Sequence, residues 1–217
     1  MTGSGVLATP VRNTSVNPDD WSGSRSIGSG LAGTGAWGTS FSISWEITED
    51  TPGTLLYTYT FTWPPGAPSH VIFELSEGCA SAEAMCVWGF EYNQGAPGQI
   101  EWGTWSQSGS NPNMPGTIYG VKVNLPDVSG GSAVLQFYSN RAPVWGNFYA
   151  KNGRAGGDGD WNAVWNVGLA NLDSTDITDF IARPDTVLTP PPEIPEPGTM
   201  ALLGAGLVAL GLIRRRG

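Results

Sequence analysis

The sequence predicts an all-β protein: an antiparallel β-sandwich of jelly-roll type, followed by a Pro-rich linker and a C-terminal hydrophobic helix. Three observations carry that expectation. Apolar and polar residues alternate with period two in the middle of the chain, 31 Gly and 17 Pro punctuate it, and one apolar stretch near its C-terminal end carries no charge. The length of 217 residues suits one all-β domain with tails. Ten Trp and only 13% charged residues argue against disorder, which needs few aromatics and much charge.

In chain order, residues 1–38 are rich in Gly and Ser and read as a flexible lead-in with at most one edge strand. The body is expected over 39–183. There Phe41, Ile43, Trp45 and Ile47 share one strand face, with Ser42, Ser44, Glu46 and Thr48 on the other. Tyr57, Tyr59, Phe61 and Trp63 repeat the pattern. Further strands are expected at 71–75, 118–125, 134–138, 144–150 and 164–169, bounded by Gly, Pro, Asn and Asp clusters, with one short helical turn at 80–85. Seven or more strands with little helical periodicity suggest two packed antiparallel sheets.

Residues 184–197 hold six prolines and read as a polyproline spacer of about 43 Å at 3.1 Å per residue. Residues 198–213, in the order GTMALLGAGLVALGLI, form the apolar stretch, and Arg214, Arg215 and Arg216 follow it. As a helix, those sixteen residues reach about 24 Å, marginal for a ~30 Å hydrocarbon core. Arg214, Arg215 and Arg216 would hold the C-terminal end on the cytoplasmic side, as the membrane stop of a transmembrane sorting helix over 198–217.

Ahead of that cluster the chain carries seven basic against nineteen acidic side chains, a formal charge of −12. Such a body lacks the basic footprint of a nucleic-acid binder, so no nucleic-acid partner is expected.

Catalytic constellations are sparse, and neither a catalytic residue nor a cofactor is expected. His70 is the sole histidine, and Glu74 lies four residues along the same strand, about 13 Å away, too far for a dyad. Glu91 and Glu101 flank a Trp-rich segment and are the carboxylate pair a glycoside hydrolase would need 5–9.5 Å apart, an order-of-magnitude requirement. Trp88, Trp102 and Trp105 lie in Gly-, Pro- and Ser-rich sequence, where exposed rings can stack on sugars, and are the candidate saccharide-binding residues. Trp45 and Trp63 continue apolar strand faces and belong to the core. Asp158 and Asp160 open like a calcium loop, but Ala163 and Leu169 stand where an EF-hand needs Gly and Glu, leaving only a weak calcium candidate.

Pro195-Glu196-Pro197, the apolar Gly/Ala/Leu stretch and the terminal Arg214-Arg215-Arg216 together resemble the PEP-CTERM sorting signal of exopolysaccharide-producing Gram-negative bacteria. The resemblance covers about the last two dozen residues. It implies an exported protein of the cell envelope or extracellular matrix, sorted through the membrane and processed by an exosortase near the tripeptide. Pro195, Glu196 and Pro197 would be recognition residues in that process. The expected role is structural or interactive, with exopolysaccharide binding as the alternative and a hydrolase third. Residues 1–38 show no basic n-region followed by an apolar run, so either an exported chain starts upstream of the given Met1, which is the favoured expectation, or the tail helix alone targets it. In an exported protein Cys79 and Cys86, the only cysteines, are expected to form one disulfide, which an unbroken helix through both would forbid.

Overall fold

Alternation of large rings with Ser and Thr makes the two central strands. In a computed structural model that describes residues 9–76, 79, 86–126, 130–152 and 161–184, Phe41, Ile43, Trp45 and Ile47 are buried along β3 (Ser42–Thr51), and Tyr57, Tyr59 and Phe61 are fully buried along β4 (Thr54–Thr62). Their partners Ser44, Thr58 and Thr60 face outward. The remaining strands are β1 (Ser22–Ile27), β2 (Gly30–Thr34), β5 (Pro68–Glu74), β6 (Val87–Tyr92), β7 (Ile100–Trp105), β8 (Ile118–Asn124), β9 (Ser132–Ser139), β10 (Pro143–Gly146), β11 (Phe148–Asn152), β12 (Ala163–Asn166) and β13 (Ile181–Pro184).

All-β is therefore the observed class, but the hydrogen bonding is not that of two separate antiparallel sheets. Eleven strands form one mixed sheet in the order β6-β9-β4-β3-β1-β2-β12-β11-β5-β8-β7, and β10 pairs with β13 in a small second sheet. The large sheet curls until its halves face each other. Tyr59 on β4 meets Phe73 on β5 at 4.5 Å between ring centroids, and Phe137 on β9 meets the same ring at 5.8 Å, although these strands are far apart in the sheet. Packing is thus two-layered while the ladder is continuous, and the one parallel pairing among the described strands is β1–β2.

Residues 9–38 differ most from expectation. Where a flexible lead-in was expected, β1 and β2 occupy the middle of the sheet and Val16, Leu31 and Trp37 are buried. The cause is what fills the inner side of β1. Gly23 lies against the Trp45 ring, where an added Cβ would fall 2.4 Å from a ring carbon. Next along the strand, the Arg25 guanidinium lies 4.9 Å from the centroid of Trp45 and 5.6 Å from that of Trp145. Apart from Ile27 at its end, β1 is apolar through its neighbours' rings and not through its own side chains.

The strand expected at 144–150 is broken at Asn147. Its backbone N–H and its side-chain amide both donate to Glu74 Oε2 at 2.8 Å, so the chain leaves the small sheet and enters the large one there. Arg12 Nε donates to the other carboxylate oxygen at 2.8 Å, which ties the N-terminal segment to β5. The expected strand at 164–169 ends at Asn166, whose amide bridges Asn147 and the Asp179 carbonyl; a 3-10 turn over Val167–Leu169 follows.

Cys79 and Cys86 are joined, with Cα atoms 5.7 Å apart and both sulfurs buried. The helical turn expected at 80–85, the linker, the apolar stretch and the Arg cluster lie outside the described residues. The eight-residue ring should contribute about 2.5 kcal/mol, so reduction should lower the thermal midpoint by about 5–10 °C. Scanning calorimetry with and without a reducing agent checks this; full alkylation of the native, unreduced protein would show that the bridge is missing.

Candidate functional site

Because inner faces of both layers are filled with rings and aliphatics, chemistry is left to the outer faces. On the β6-β9-β4-β3-β1 layer, register places Ser22, Glu46, Thr58, Gln136 and Glu91 in one row and Ser24, Ser44, Thr60 and Val134 in the next. The result is a face of short hydroxyl side chains, with a shallow groove of about 390 Å³ along Ser22, Ser24, Ser44, Glu46, Thr58 and Thr60. At one end Trp88 stands opposite Tyr138, the two rings stacked at 6.4 Å and 23°.

The outer face of the other layer is different. Ile72, Met114, Ile118, Tyr149, Ala163 and Leu169 form a second small core under the segment 106–117. Beside it, register brings Asn124 on β8, His70 on β5 and Lys151 on β11 side by side, and Lys122 on β8 opposite Glu101 on β7. His70 Nε2 is 3.0 Å from Asn111 Oδ1, and the ring is 96% removed from solvent. Lys122 pairs with Glu101 at 3.3 Å and lies 5.1 Å from the Trp105 centroid; Lys151 lies 4.6 Å from the Trp161 centroid. Asn124 donates to Glu101 at 2.7 Å, and that bond, with Lys122, holds the Glu101 carboxyl below the usual carboxylate range.

The three candidate sugar-binding tryptophans are not brought together. Trp102 and Trp105 lie on β7, a strand and not a loop, and their spacing of three puts them on opposite faces. Trp102 packs against the main core and Trp105 against the small one. Trp88 is on the edge strand at the other end of the sheet. Glu91 and Glu101 likewise sit on the two opposite edge strands and point off the two outer faces, so they make no carboxylate pair. His70 and Glu74 have separate partners, Asn111 and the Arg12–Asn147 pair. Asp158, Asp160 and the sorting residues lie outside the described residues. Among the described residues no three His, Cys, Asp or Glu side chains cluster as metal ligands, and no helix is long and apolar enough to cross a membrane.

Sequence reasoning missed Lys122, Lys151, Asn111, Asn124 and Trp161. One signal was present: Lys122 and Lys151 are the only lysines in the chain, and His70 is its only histidine.

Burial, then Lys122 and Lys151, push the His70 imidazole down to about 3, against the smaller opposing effect of the Asn111 hydrogen bond. An unfolded chain's histidine titrates near ~6.5. Between those values the unfolded state binds a proton that the folded state refuses, so stability rises with pH across this window. The contribution is complete above about pH 6.5 and is lost as the pH falls toward 3. Urea midpoints at neutral and at acidic pH should therefore differ less for His70→Gln than for the parent protein. An equal drop in both would remove His70 as the cause.

The family model of the PEP-CTERM protein-sorting motif matches residues 193–216. No curated protein and no solved structure matches the chain. The match covers Pro195, Glu196 and Pro197, the apolar stretch and Arg214 to Arg216. The chain carries a PEP-CTERM protein-sorting motif, a C-terminal signal that indicates an exported protein sorted to the cell envelope and implies processing by an exosortase.

Proposed function

We propose that the body is a structural or interaction module of a Gram-negative cell envelope or extracellular matrix, held outside the inner membrane by residues 198–213 until processing near Pro195-Glu196-Pro197. The observation that carries this reading is the motif match over 193–216. Its physical logic is linear: an extended Pro-rich spacer presents the tripeptide at the bilayer surface, the apolar stretch is marginally long enough to span, and three arginines favour a cytoplasmic C-terminal end. A buried disulfide is in keeping with an oxidising compartment outside the cytosol.

Removing 198–217 should release the body from the membrane fraction as a folded, soluble protein, read by fractionation and circular dichroism. A body that stays with the membrane, or that no longer folds, would defeat the proposal.

A second reading, saccharide binding, is favoured by the stacked Trp88–Tyr138 pair beside a hydroxyl-lined face. Rings of this kind pack on the apolar faces of sugars while Ser, Thr and Gln exchange hydrogen bonds with their hydroxyls. Under this reading Trp88→Ala weakens retention on a polysaccharide column by ~0.5–1.5 kcal/mol, borrowing the scale of aromatic pairs. Unchanged retention would leave the face without this role.

A further inference from the structure

The only two lysines of a strongly acidic chain, and its only histidine, meet on one sheet face. Nothing in the local sequence requires this, since β8, β5 and β11 are neighbours only through the strand order. The cluster is rich in donors and poor in acceptors. Glu101 answers the charge of Lys122, whereas among the described residues no carboxylate pairs with Lys151, whose side chain touches the Trp161 ring. Lys151 is only 9% exposed. The Trp105 indole N–H is buried without an acceptor. A buried ammonium with neither counter-ion nor full hydration is costly unless a ligand supplies the missing charge.

The surroundings narrow the ligand. With Lys122 neutralised by Glu101 and His70 uncharged, one positive charge without a paired carboxylate remains among the described residues, which suits a single carboxylate better than a phosphate carrying close to two charges. Trp105 and Trp161 flank the lysines, and the Asn111 and Asn124 side chains border His70. Aromatic planes with neutral amides beside a cation suit a sugar ring that carries an acid group. We propose that Lys122 and Lys151, set beside the buried His70 and flanked by Trp105 and Trp161, bind a carboxylate-bearing saccharide of the uronic-acid class. This site is separate from the Trp88 face and does not depend on how the tail is sorted.

The test uses the full-length chain in detergent, titrated calorimetrically with trimers of galacturonate, glucuronate and mannuronate and with their methyl esters, which keep the sugar and lose the charge. At least one free acid should bind tenfold or more tighter than its ester, and Lys151→Met should abolish that difference. Because no carboxylate among the described residues pairs with Lys151, the thermal midpoint of Lys151→Met should stay within a few degrees of the parent, and Trp161→Ala should weaken binding while retaining a preference for the acid. Three outcomes would each overturn the proposal: none of the three trimers binds, acid and ester bind equally, or inorganic phosphate displaces the trimer at equal concentration. The last would reduce the site to a general anion pocket. Because these readouts are made on purified protein, their failure leaves the sorting proposal untouched, and failed sorting leaves them untouched in turn.

Discussion

The packing of Phe73 against Tyr59 and Phe137 is the contact on which the rest of the structure depends, because it is what closes a single sheet into two layers. Without it, eleven strands would present one apolar face to water. Each buried ring is stabilised by about 1.5–3 kcal/mol from removal of apolar surface, and each ring pair adds ~0.5–1.5 kcal/mol. Tyr59 adds direction to that packing, since its hydroxyl donates to the Ala182 carbonyl at 2.8 Å and so fixes β13 against the layer. Burial pushes the Tyr59 hydroxyl well above the usual phenol range, which keeps it a donor at any physiological pH.

Closure has a further condition at Gly120. An added Cβ there would fall 1.9 Å from the Phe73 carbonyl oxygen, so β8 can approach β5 only with a glycine at this position. The same close approach carries Lys122 and Asn124 to their places beside His70, two and four residues further along β8. Core packing and the polar cluster are thus consequences of one strand alignment.

What could be read in the sequence follows from where each element's stability originates. β3 and β4 announce themselves because their own side chains supply the buried face, Ile43, Trp45 and Ile47 on one and Tyr57, Tyr59 and Phe61 on the other. β1 does not, because Gly23 and Arg25 borrow the rings of Trp45 and Trp145, and alternation of Ser with Gly and Arg has no apolar period to detect. β6 and β7 hold Gly89 and Gly103 inside the strand and look like loops for that reason. The break at Asn147 was hidden because its cause, the Glu74 carboxylate, is 73 residues away. The polar cluster is hidden in the same way, since its members come from strands whose neighbourhood only the sheet order reveals. The sorting motif could be read in full, because a recognition signal of that kind is a linear string and needs no folded context to be legible.

These two kinds of legibility correspond to two kinds of constraint on the chain. The tail carries an order of features along the sequence: tripeptide, apolar stretch and arginines. The body has to keep three-dimensional coincidences. Lys122 and Lys151 raise each other's electrostatic cost, and Lys151 is accordingly held below the usual lysine range by burial and by Lys122. A neutral His70 between them is what makes the arrangement tolerable: a protonated imidazole there would put three positive charges on adjacent strands with, among the described residues, only Glu101 to answer them. The low proton affinity of His70 is therefore a condition for keeping both lysines on this face, and the Asn111 carbonyl, which takes a hydrogen bond from a neutral ring without adding a charge, fits that condition where a carboxylate would not.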